Sequence, residues 1–69
     1  MKKNIKFQLG DLFQNTMTEA LMYVNELDLY YIQVVYINVS LTGTKEWITI
    51  ETIKELIKSK TLVYYPVRN

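Results

Sequence analysis

The sequence predicts one small α+β domain, residues 1–69, with its elements in the order β-α-β-β-α-β. Three patterns lead to that order. Residues 4–9 alternate apolar and polar at period two, and residues 12–26 place their apolar positions at the helical period of 3.6. Residues 28–40 are dense in β-branched and aromatic side chains, which suit a strand better than a helix.

In "NIKFQL", residues 4–9, Ile5, Phe7 and Leu9 share one side and Lys6 and Gln8 the other, a half-buried strand that Gly10 ends. Asp11 with Gln14, and Thr16 with Glu19, both have the spacing of a helix capping box. Phe13, Met17, Ala20, Leu21, Val24 and Leu27 then form one apolar face, so a helix is predicted over residues 12–26. The stretch "DLYYIQVVYINVS", residues 28–40, follows as a long strand, with Val35, Ile37 and Val39 on one face and Tyr36 on the other. Gly43 allows a positive φ in "SLTGTKEW", and the chain returns through "WITI", residues 47–50, to make a hairpin. Thr52 and Glu55 repeat the capping-box spacing ahead of "IKELIKSK". Ile53, Leu56 and Ile57 share a face of that helix, and Lys58 and Lys60 suit the negative end of its dipole. "TLVYYPV", residues 61–67, is a short closing strand, ended by a proline that cannot donate to a ladder.

This element order resembles the ferredoxin-like fold, an antiparallel sheet with both helices on one face. A small winged-helix-like or irregular α+β domain is the other arrangement considered. The resemblance implies that the second strand lies at a sheet edge and that one sheet face is open. Ile5, Phe7, Leu9, Val35, Ile37, Val39, Ile48 and Ile50 are assigned to the covered face. Lys6, Gln8, Ile32, Val34, Tyr36, Asn38, Trp47 and Thr49 fall on the open one, joined by Tyr64 or Tyr65 according to the last strand's register.

A chain of 69 residues buries only roughly 60% of the surface its unfolded form exposes and usually needs reinforcement. With no cysteine and no histidine, disulfides and the common zinc ligand sets are excluded, and no metal or cofactor is expected. The apolar share of 49% is generous for so small a core and points to self-association. A net charge of +1 is not the basic footprint of a typical nucleic-acid binder. The N-terminal lysines precede no apolar core of a signal peptide, and Asp28 and Gln33 interrupt the best candidate for a membrane span. A cytoplasmic location is expected. The excess of lysine over arginine, with many Ile, Asn and Tyr, has the look of an AT-rich genome.

The inventory disfavours catalysis, because the thiolate nucleophile and the imidazole base are both missing. Glu51 and Glu55 are four apart on a helix, but Lys54 and Lys58 beside them suit a solvated flank. Glu26 and Asp28 bracket a helix end and suit loop charges. Acylphosphatases use a ferredoxin-like fold and grip phosphate with a loop after the first strand. Here that loop, "LGDLF", has one glycine, an acid and no arginine, and the single arginine is Arg68. With only Gly10 and Gly43, no phosphate-cradling motif exists either. RNA-recognition domains stack bases on aromatics of the central strands, whereas the corresponding strands here offer Lys6, Gln8, Trp47 and Thr49. Ile32 and Val34 beside Tyr36 suit a protein surface better than a base-stacking one.

These observations lead to a non-enzymatic protein-interaction module. Its partner-binding residues are Tyr36, Trp47, Tyr64, Tyr65 and Lys6. A homodimer is expected to form along residues 30–40, through an edge carrying Tyr30, Ile32, Val34 and Tyr36, because no lysine or proline blunts it. The composition suggests a phage or mobile-element product that inhibits or assists a larger host protein. The alternative is a single-stranded nucleic-acid-binding domain that uses the same face.

Overall fold

A computed structural model of the chain describes residues 6–38, 40 and 42–68. Its elements are β1 (Leu12–Asn15), β2 (Leu21–Leu27), β3 (Tyr31–Tyr36), β4 (Lys45–Thr49), α1 (Ile50–Lys58) and β5 (Leu62–Tyr65). The strands form one antiparallel sheet in the order β4-β3-β2-β1-β5. The ferredoxin-like arrangement is therefore wrong. The described residues hold five strands and one helix, and the first four strands make a meander whose first member also pairs with the last.

The largest error lies in residues 12–26, predicted as a helix and found as the hairpin β1-β2. Its tip is built by Asn15. The Asn15 Oδ1 accepts from the Met17 N–H at 2.8 Å and the Thr18 N–H at 3.0 Å, and the Glu19 N–H closes onto the Asn15 carbonyl at 2.7 Å. Glu19 takes a positive φ of 64° to complete the turn. Asn and Thr satisfy backbone donors in turns as readily as at helix starts, so the capping-box spacing pointed to the wrong structure. Met17, assigned to a buried helix face, sits at the tip and is 82% exposed. The true core positions Ala20, Met22 and Val24 follow period two.

Residues 6–8 lie outside any strand, and Asn4 and Ile5, where a first strand was expected to begin, lie outside the described residues. Phe7 is buried as expected, but Leu9 is exposed in a turn with Gly10, whose φ is 91°. The strand expected over residues 28–40 is confined to β3. The Asp28 N–H donates to the Tyr31 carbonyl at 2.8 Å, which folds residues 28–30 into the link from β2. Val39, assigned to the covered face, is outside the described residues.

The core face of β3 is the reverse of the one expected. Ile32 and Val34 are fully buried and Tyr36 packs against them, while Ile37 is exposed. With Phe7, Phe13, Met22, Val24, Ile53 and Leu62 they make the core. Val35 is buried as expected, but on the opposite side of the sheet.

Helix α1 lies on the core side, where Ile53 is fully buried and Leu56 and Ile57 pack around it. Its N-cap lies three residues before the expected one. Thr49 is the N-cap, and its Oγ1 accepts from the Thr52 N–H at 3.1 Å. The helix touches both β4 and β5, the two edges of the sheet.

Candidate interaction surface

Antiparallel register places side chains of partnered residues on the same face. Tyr65, Leu12, Tyr23, Val35 and Lys45 are partnered in turn across all five strands, so they form one row on the face turned away from α1. Beside this row, Trp47 partners Gln33, whose Oε1 accepts from the Asn25 Nδ2 at 2.7 Å. On its other flank Val63, Gln14 and Leu21 are in register. Among the described residues no helix covers this outer face. Its centre is tight, with Val35 only 7% exposed, and its margins are open, with Trp47 49% and Tyr65 47% exposed.

The four aromatic residues expected to bind a partner are divided between the two faces. Trp47 and Tyr65 lie on the outer face, at opposite edges of the sheet. Tyr36 and Tyr64 turn to the core side. The Tyr36 hydroxyl donates to the Glu46 Oε1 at 2.8 Å, and burial, then that hydrogen bond and the Glu46 charge, push it up to about 12. Lys6 is exposed but precedes the strands.

The edge proposed for self-pairing does not exist. β3 is paired with β2 on one side and β4 on the other, and Ile32 and Val34 are inside the core. Its edge position had come with the ferredoxin-like order. Tyr30 lies in the β2-β3 link, where its carbonyl accepts from the Ile50 N–H at 2.9 Å. With Leu29, Tyr31, Ile50, Glu51 and Lys54 it lines an open cavity of about 390 Å³ at the first turn of α1.

Asp11 has a place that its spacing to Gln14 did not suggest. It is fully buried, and its carboxylate accepts three hydrogen bonds: from the Gln8 N–H at 2.8 Å, the Tyr64 hydroxyl at 2.7 Å and the Val67 N–H at 2.7 Å. These bonds tie the segment before β1 and the segment after β5 to the same side chain. Three donors compensate the cost of burying a carboxylate. Tyr64 stacks on Phe13 at 5.6 Å and meets Phe7 edge-on at 5.3 Å. Burial, followed by the hydrogen bond and charge of Asp11, pushes its hydroxyl up to about 12. Asp11 is thus engaged in holding the fold, with both carboxylate oxygens accepting hydrogen bonds. Among the described residues, no three acidic side chains gather as a metal-binding set.

Leu12, Leu21 and Tyr23 are surface residues that sequence reasoning missed, because it had placed them in a helix. The pairing partner is the only signal that separates the two phases of "LMYVNEL", in which apolar residues occupy both. No protein-family model, curated protein or solved structure matches this chain.

Proposed function

We propose that the protein is a non-enzymatic interaction module that binds another protein through the outer sheet face, with Trp47, Tyr23 and Tyr65 as anchors. The row from Tyr65 through Leu12, Tyr23 and Val35, over which no helix of the described residues lies, carries this reading. Aromatic residues with polar tips around an apolar centre are what protein interfaces favour. Lys45 is the sole cation of that row, which leaves little to neutralise phosphates, so a protein suits the face better than a nucleic acid. Nothing in the fold bears on a phage or mobile-element origin.

The test is a pull-down with tagged protein from nuclease-treated lysate, beside the Trp47→Ala and Tyr65→Ala variants. A discrete protein that both variants lose, and that added salt releases only weakly, supports the reading. Retention of the same protein by both variants sinks it. Recovery of nucleic acid alone, lost steeply with salt, would favour a single-strand-binding role.

A further inference from the structure

The two edges of the sheet differ in charge. β4 carries Lys45 and Glu46, whereas β5, "LVYY", carries no charge at all. Edge strands without charge are open to an added strand. The hydrogen-bond phase of β5 follows from its junction with β1, where the Thr16 N–H donates to the Thr61 carbonyl at 2.8 Å. Antiparallel pairs alternate between bonded and non-bonded, so Val63 and Tyr65 bond to Gln14 and Leu12. The backbone N–H and C=O of Leu62 and Tyr64 therefore point out of the sheet. The next outward position is Pro66, which has no donor and limits the added strand to a short one.

Beside this edge lies a groove of about 520 Å³ lined by Thr16, Ile57, Lys60, Leu62, Val63 and Tyr64. Lys60 is its one charged residue. Between Leu56 and Arg68 the chain carries Lys58, Lys60 and Arg68 and no acid. A second copy fits poorly, because antiparallel self-pairing about Val63 would run the Lys58 and Lys60 end of one copy beside the Arg68 end of the other. We infer that the β5 edge accepts an extended segment of another protein, apolar at alternate positions and acidic toward its C-terminal end. The segment's backbone pairs with Leu62 and Tyr64, an apolar side chain enters the groove, and the carboxylate meets Lys60. This site shares Val63 with the margin of the outer face, but Trp47 lies at the opposite edge of the sheet, so a Trp47 variant tells the two sites apart.

The test uses a short capped peptide alternating valine and threonine and ending in glutamates, beside the same peptide ending in lysines. Amide shifts and hydrogen exchange of the intact protein are followed by NMR. The glutamate peptide is expected to shift the Leu62 and Tyr64 amides and slow their exchange, leaving Lys45 and Trp47 unchanged. Lys60→Glu is expected to weaken the glutamate peptide about fivefold, the upper range for an exposed ion pair, and to favour the lysine peptide. Trp47→Ala leaves this binding intact. The inference is overturned if neither peptide binds, if both bind equally, or if protection appears along β4. It is also overturned if the Leu62 and Tyr64 amides become protected with rising protein concentration alone, which would assign the edge to a second copy.

Discussion

Tyr64 and Tyr65 are neighbours in sequence and opposites in structure. Tyr64 packs between Phe7 and Phe13 with its hydroxyl on the buried Asp11 carboxylate. Tyr65 sits one pleat away on the outer face, about half exposed, beside Leu12. The same contrast holds for Tyr36, fixed by Glu46 against the core, and Trp47, open on the other side. One face of the sheet spends its aromatics on stability, and the other leaves them available for a partner. Side-chain chemistry alone does not separate the two groups; the pleat does.

The sharpest way to break this contrast is Asp11→Ala. It leaves the Gln8 and Val67 amides and the Tyr64 hydroxyl without their acceptor, at a cost of about 3 kcal/mol or more. That is a large share of the stability of a domain this small. Urea unfolding should show a much lower midpoint, and a midpoint within experimental error of the parent would refute the structural role of Asp11.

Removing a single hydroxyl compares the neighbours directly. Tyr64→Phe should cost about 1–2 kcal/mol, since the bond it deletes goes to a charged acceptor, whereas Tyr65→Phe should stay within about 0.5 kcal/mol. Equal midpoints for the two variants would mean that the two faces do not differ as described.

Alkaline pH separates the same groups. The hydroxyls of Tyr36 and Tyr64 have folded-state values raised from 10.0 to about 12, so they add stability that is fully present below pH 10 and lost as pH rises toward 12. Thermal melting across that window should fall in the parent and fall less in the Tyr36→Phe, Tyr64→Phe double variant. The same slope in both proteins would show that neither hydroxyl is held by its carboxylate.

The smallest expected effect on stability belongs to the outer face. Trp47→Ala should change unfolding by less than about 1 kcal/mol, because half of the side chain is already in water. Its effect on partner binding should be tenfold or more, as for an aromatic anchor that a partner buries. A Trp47→Ala protein that unfolds easily yet still binds would reverse the assignment of this face.

Several elements were legible in the sequence because their signals are local. The Gly43 turn, the return strand around Trp47, the amphipathic helix with Ile53 inward and the closing strand before Pro66 all appear close to where they were expected. Each depends on spacing within a few residues. The first half of the chain did not yield in this way. Phe13, Met17, Ala20, Leu21 and Val24 satisfy a helical period, while Phe13, Ala20, Met22 and Val24 satisfy the hairpin that forms. A turn held by the Asn15 side chain, together with pairing of β1 to both β2 and the distant β5, decides between them.

The sequence by itself determined that this domain has no cysteine or histidine, that an amphipathic helix follows the strand around Trp47, and that a short uncharged strand comes after that helix. Only the tertiary structure decided that residues 12–27 form a hairpin, that Ile32 and Val34 point into the core, and that Asp11 is its polar anchor. The reason is that "YIQVVY" has apolar or aromatic side chains in both phases of its alternation. Such a strand gains from burial whichever way it faces, so its orientation is set by the neighbours it pairs with and by the helix that covers one side.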